Sequence, residues 1–109
     1  MTDSNPEITP NAADRPEKTL LIDVREHDEW VAGHAPGATH IPLGAPTRDA
    51  VPAGASVMCV CRSGGRSSKA TTMLREAGIN AANVTGGMTA WCEADLPVIR
   101  DDGTPGTVI

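Results

Sequence analysis

Six uncharged residues, Ser56 to Cys61, run directly into Arg62-Ser63-Gly64-Gly65-Arg66-Ser67. No other feature of the chain restricts its fold as much. A run without polar alternation fits a strand buried on both faces of a parallel sheet, since a strand with one wet face would alternate. Gly64 and Gly65 permit a tight turn. Beyond it Ala70, Met73, Leu74 and Ala77 recur at i, i+3, i+4 and i+7 before Gly78, which predicts a helix with an apolar stripe and a glycine stop.

The rest of the chain repeats that alternation. Leu20 to Val24 is a second apolar run, interrupted only by Asp23, and His27 to Ala32 reads as a short helix carrying Trp30 and Val31 and stopped by Gly33. Thr39 to Pro42 is a brief strand-like piece, and Leu43 to Ala55 is a connecting loop rich in Pro and Gly. A further strand is predicted at Asn83 to Thr85. After Gly86-Gly87, residues Met88, Trp91, Cys92 and Leu96 form another helical stripe closed by Pro97. Strands alternating with helices predict an α/β domain, a small open parallel sheet covered by helices on both faces. The expected boundaries are a flexible N-terminal arm over 1–18 that contributes at most a short edge strand around Ile8, the domain over 19–99, and a loose tail over 100–109.

Composition decides what such a domain can do. Leu, Ile, Val and Phe number 19 of 109 residues, a share low enough to raise disorder as an alternative. The net charge of −5 is modest, however, and Ala, Met, Cys and Trp bring the apolar share to 39%, so a core of small side chains is feasible. With 9 basic against 14 acidic residues and no Phe or Tyr, the chain lacks the basic surface and stacking rings that nucleic-acid binding uses. No stretch approaches the roughly 20 apolar residues that span a bilayer. No membrane or nucleic-acid partner is therefore expected. The reading is a soluble, cytoplasmic, monomeric protein whose three cysteines are free thiols.

One of those thiols is placed for chemistry. Cys61 precedes a glycine turn whose successive amides can face inward as an anion cradle, with a helix N-terminus behind it. Arg62 and Arg66 can add full positive charge, so thiolate is favoured over thiol and Cys61 is the candidate nucleophile. Positive charge in a first helical turn gains nothing from the helix dipole, so Arg66 points to an anion or an acidic partner. Arg62 is as readily a solvated side chain. Cys59 and Cys92 are read as core filler, and His34 and His40 as structural hydrogen-bonding residues, for neither histidine shares a metal-ligand spacing with the cysteines.

The segments Leu21-Ile22-Asp23-Val24-Arg25-Glu26, Gly33-His34-Ala35-Pro36-Gly37-Ala38, Cys61 to Ser67, and Gly86-Gly87-Met88-Thr89-Ala90-Trp91 resemble, in order, the motifs of rhodanese domains. The resemblance covers about Leu20 to Pro97. It implies that Cys61 accepts sulfur as a persulfide from a small anionic donor such as thiosulfate and passes it to cyanide, a thiol or a protein. It implies that Arg62, Ser63, Gly64, Gly65, Arg66 and Ser67 form the active-site loop, that Asp23 and Arg25 brace it, and that no metal or organic cofactor takes part. The departure is at the front, where only about Asn11 to Glu17 is available for a helix that is longer in the family. Two rivals are weighed against this reading: a cysteine-dependent phosphatase or arsenate reductase of related fold, and a non-catalytic interaction or redox-sensing module. Against the first, Cys61 to Arg66 is Cys-x4-Arg rather than Cys-x5-Arg, and Val60 stands where a His usually precedes the cysteine. Against the second, the loop is complete.

Overall fold

The computed structural model describes residues 5–13, 19–44 and 47–109. Its strands are β1 (Glu7–Ile8), β2 (Thr19–Asp23), β3 (Thr39–His40), β4 (Ser56–Val60) and β5 (Ala81–Val84). Its helices are α1 (Pro10–Ala13), α2 (His27–Ala32), α3 (Gly65–Glu76) and α4 (Gly87–Glu93), with one 3-10 turn at Thr47–Ala50. The sheet is open and parallel throughout, in the order β1-β5-β4-β2-β3. β4 is central, and the loop leaving it opens beyond the carboxyl edge of the sheet, where open α/β sheets place their ligands.

Side-chain alternation along each strand divides the core in two. On one face Leu21, Met58, Val60 and Val84 pack under Met88 and Trp91 of α4, together with Ala13 of α1. On the other Ile22, Val57, Cys59, Cys61 and Ala81 pack under Ala70 and Leu74 of α3. Burial of both faces is what permits the continuous apolar runs of β2 and β4. Trp91 is the largest fully buried side chain, and its indole N–H donates to the Pro97 carbonyl at 2.8 Å, so filling the core with it strands no polar atom.

The helices differ from expectation in phase. The buried stripe of α3 is Ser67, Ala70, Thr71 and Leu74, whereas Met73 is 56% exposed and Ala77 is exposed as well. Two polar residues belong to the stripe because their hydroxyls find partners inside: Thr71 donates to the Ser67 carbonyl at 2.8 Å and Ser67 to Asn83 Oδ1 at 2.6 Å. An apolar-only count passes over them. Cys92 is likewise exposed rather than core filler, because α4 stops at Glu93 and turns only Met88 and Trp91 inward. β5 begins at Ala81, ahead of the predicted Asn83, since pairing with Val57 and Met58 overrides the weak strand preference of alanine.

The ends of the chain are more engaged than an arm and a tail. Glu7 and Ile8 pair with Asn83 and Val84, while the remainder of the expected arm at 1–4 and 14–18 lies outside the described residues. The last ten residues, read as loose, instead turn back on the domain. The turn is set by Asp102, whose carboxylate accepts from the Thr104 N–H at 3.0 Å and hydroxyl at 2.6 Å. Gly106 N–H then donates to the Val98 carbonyl and Thr107 N–H to the Ala32 carbonyl, both at 2.9 Å. Val108 packs on the α4 side of the core. Among the described residues no helix is long and apolar enough to cross a membrane.

Candidate active site

β4 ends at Val60, and the chain leaves the sheet at Cys61, which is 1% exposed. Its Sγ accepts the Gly64 N–H at 3.0 Å and faces the Ser67 hydroxyl at 3.3 Å. Gly64 caps α3 with a φ of +117°, a backbone state that side chains disfavour and glycine adopts freely. The loop carbonyls are drawn the opposite way. Those of Cys61 and Arg62 accept the Met88 and Thr89 N–H groups at 2.7 and 3.0 Å from the first turn of α4. That approach requires Gly87, where a Cβ would stand 2.6 Å from the Arg62 carbonyl oxygen. With its carbonyls held behind it, the loop presents its amides to the sulfur.

This arrangement favours the thiolate form of Cys61. Burial raises its pKa, but hydrogen bonds from the Ser67 side chain and from the Ser67, Gly64 and Ser63 backbone outweigh it, and the net shift is downward. Cys59, two residues earlier and in the same core cluster, lacks that set of amides. Burial pushes its pKa up to about 11, only partly opposed by a hydrogen bond from Thr71.

Two residues that sequence reasoning passed over complete the site. Asn83 of β5 accepts the Ser67 hydroxyl at 2.6 Å through Oδ1, while its Nδ2 donates to the Gly64 carbonyl at 3.3 Å and to the Glu7 carboxylate at 3.2 and 3.4 Å. Three acceptors around Nδ2 fix which way the amide points. The available signal was a lone Asn inside an apolar strand, a residue type depleted there unless its side chain is satisfied. The other is Glu29 of α2, which takes both ends of the Arg66 guanidinium, Nη1 to Oε1 at 2.6 Å and Nη2 to Oε2 at 2.8 Å. Glu29 also accepts the Glu26 N–H at 3.0 Å and forms a capping box with it. The Arg66 bond, above all, holds the Glu29 carboxyl down at about 2 against the opposing effect of burial. The acidic partner expected for Arg66 is thus in its own chain.

The other expected site residues are placed as follows. Arg62 is exposed and donates through Nε to the Ile109 carbonyl at 2.8 Å. Ser63 and Gly65 complete the turn. Asp23 and Arg25 are fully buried and doubly bonded, with Nε and Nη2 of Arg25 within 2.7 to 3.0 Å of the carboxylate. Arg25 Nη2 also donates to the Gly33 carbonyl at 2.7 Å, and the Arg25 carbonyl meets His40 Nε2 at 2.7 Å. Since the Val24 N–H donates to the Val60 carbonyl, the pair fastens α2 and β3 to the strand ends beside Cys61. His34 and His40 each stack on Trp30, with ring centroids 3.6 and 4.9 Å from it. His34 also bonds Asp101 at 2.9 Å, tying down the returning C-terminal segment.

Comparison with known proteins gives a consistent picture. The rhodanese-like domain family matches residues 9–94. An uncharacterized protein of Synechocystis is 32% identical over 93 residues, covering 83% of this chain and 52% of its own length, so the chain spans about half of that relative. A provisionally named sulfurtransferase of Bacillus subtilis, YtwF, is 40% identical over 77 residues, covering 69% of this chain and 75% of its own. Among solved structures, a rhodanese-related protein from Thermoplasma volcanium superposes with a TM-score of 0.79 at 25% identity, over 86% of this chain and 97% of that one.

Proposed function

Because the chain belongs to the rhodanese-like domain family, we propose that it is a sulfurtransferase that carries sulfur as a persulfide on Cys61. The observation that carries this reading is the convergence of the Gly64 amide and the Ser67 hydroxyl on a sulfur whose pKa is lowered despite burial. In the first step the Cys61 thiolate attacks the outer sulfur of a donor such as thiosulfate. The Sγ–S bond forms, the donor S–S bond breaks, and sulfite leaves with the bonding electron pair. In the second step the thiolate of an acceptor attacks the outer sulfur of Cys61, and Cys61 leaves as the thiolate it began as. The cradle is suited to both steps, because hydrogen bonds that stabilise a thiolate also stabilise it as a leaving group.

In this reading Ser63, Gly64, Gly65 and Ser67 hold the sulfur, Arg62 and Arg66 flank it, and Asp23 with Arg25 keeps the strand ends in register. The phosphatase alternative is weaker because Arg66, the arginine that would grip a phosphate, is occupied by Glu29. The test is mass spectrometry of the intact protein after exposure to thiosulfate or a small-molecule persulfide. A gain of one sulfur atom that is removed by a reductant and absent in Cys61→Ser is the expected result. No sulfur on Cys61 from either donor would refute the assignment.

A further inference from the structure

Cys61 is served by an amide cradle that supplies partial charges, and the arginine that acts on it from the first turn of α3 is already paired. Arg66 is held at both Nη nitrogens by Glu29, in a pair whose side chains are 34% and 13% exposed. Arg25, close enough to act on Glu29, is buried against Asp23 through Nε and Nη2, with Nη1 left unpartnered among the described residues. Arg62 lies exposed in solvent, bonded to the Ile109 carbonyl. The Glu29 carboxyl, at about 2, stays ionised through the whole working range of pH, and Glu26 adds a second carboxylate acting on Arg66. A dianionic donor gripped by the two Nη groups of Arg66 would have to draw them away from Glu29 and leave that carboxylate without its partner.

We propose that Glu29, by keeping Arg66 in a closed ion pair beside the Cys61 loop, is a specificity-determining residue that selects a thiol-borne persulfide over the thiosulfate dianion as sulfur donor. The proposal rests on the persulfide reading of Cys61 and adds the donor class to it. A persulfide R–S–SH needs no extra cation. The Cys61 thiolate attacks its outer sulfur, the Sγ–S bond forms, the donor S–S bond breaks, and RS⁻ departs with the electron pair while the proton stays on the transferred sulfur. The charge is one negative unit before and after, and the amides that held the thiolate hold the new terminal sulfur. With thiosulfate the same step gathers three negative units at the loop, and the one cation that acts on Cys61 from the first turn of α3 is engaged elsewhere.

The experiment uses two donors, thiosulfate and cysteine persulfide, on the wild type, Glu29→Gln and the double variant Glu29→Gln/Arg66→Ala. Gln keeps an oxygen for the Glu26 N–H, so the start of α2 is retained. Freeing a charged, bidentate donor toward an oxyanion raises thiosulfate kcat/KM in Glu29→Gln by about tenfold, chiefly through KM. That gain shrinks as salt is added. Cysteine persulfide gains far less than thiosulfate does, and the double variant loses the thiosulfate gain, showing that the gain came through Arg66. Equal gains with both donors, no gain with thiosulfate, or a gain that survives loss of Arg66 each overturn the proposal. Should Glu29→Gln fail to fold, the wild type still decides it, since equal kcat/KM for the two donors contradicts selection. Failure of both donors to load Cys61 at all is a different result and refutes the sulfurtransferase reading itself.

Discussion

Cys59 and Cys61 lie two residues apart, on the same face of the sheet and in the same core cluster, yet their thiols are driven in opposite directions. Both are buried, so burial is not what separates them. Cys59 is inside β4, where the backbone groups around it are spent on the sheet ladder. Cys61 is the first residue beyond the strand, where the chain turns and the start of α3 offers amides that no helical carbonyl can take. The lesson is that a reactive thiol here is made by the end of a strand meeting the beginning of a helix.

The largest effect is expected from exchanging the thiols for hydroxyls one at a time. Cys61→Ser should abolish sulfur transfer, because serine is not ionised at neutral pH and cannot carry the persulfide. Cys59→Ser should keep activity within about threefold, since its cost falls on the core rather than on chemistry. If the activity of the two variants fell alike at equal thermal stability, the contrast would be wrong and sulfur would pass through both thiols.

The next effect lies in stability at high pH. A thiol whose folded pKa stands above its unfolded value binds its proton more tightly in the folded state, so its contribution is fully present below the unfolded pKa and is lost as pH rises. For Cys59, moving from 9.0 to about 11, that window runs between those two values and amounts to an order of 2 to 3 kcal/mol. Chemical denaturation of the wild type should therefore weaken across the window by more than Cys59→Ala does. Parallel curves would show that Cys59 is not held protonated by its surroundings. The opposite sign holds for Glu29, whose contribution is present above 4.5 and lost as pH falls toward about 2, so Glu29→Gln should flatten that acid limb.

A smaller loss should follow removal of the Ser67 hydroxyl. A hydrogen bond to a charged partner contributes about 1.5 kcal/mol or more, so Ser67→Ala should slow transfer by roughly tenfold and move the midpoint of Cys61 alkylation to higher pH. An unchanged midpoint would assign the whole effect to the backbone amides.

How much of this could be read from the residues depends on whether an interaction is local. β2, β4, α2 and the Cys61 loop were legible because a two-sided apolar run, a 3.6-residue stripe and a Gly-Gly turn are each written within a dozen neighbours. The partners of the loop were not. Glu29 and Arg66 are 37 positions apart, and Asn83 and Glu7 are 76 apart, distances over which no periodicity speaks. The misphased α3 stripe has a related cause: Ser67 and Thr71 are buried because the fold supplies them with acceptors, which residue polarity alone conceals. The returning C-terminus was signalled locally by Asp102-Gly103, but its acceptors at Ala32 and Val98 belong to the fold.

The smallest expected effect concerns Asn83, and its sign is the informative part. The Ser67 hydroxyl owns one hydrogen and faces three acceptors: Asn83 Oδ1 at 2.6 Å, Cys61 Sγ at 3.3 Å and the Gly64 carbonyl at 3.3 Å. The shortest contact draws the hydrogen toward Asn83, so ionised Cys61 must compete for it, and its gain from Ser67 is less than a free hydroxyl would give. Asn83→Leu, close in volume and at home in a parallel strand, removes the competitor. Cys61 should then ionise more readily, and its alkylation midpoint should shift to lower pH by a few tenths of a unit. Transfer at neutral pH should rise less than the thiolate fraction does, because a less basic thiolate is also a weaker nucleophile. If Asn83 instead serves mainly to aim the Ser67 side chain, the hydroxyl will wander in Asn83→Leu and the midpoint will move upward, toward that of Ser67→Ala. Glu7→Gln separates the two cases from a general loosening of β1, for it keeps an oxygen for Asn83 Nδ2 and should leave the midpoint where it is. A shift of the same size and sign in Glu7→Gln and Asn83→Leu would place the control of Cys61 in the edge strand rather than in the hydroxyl.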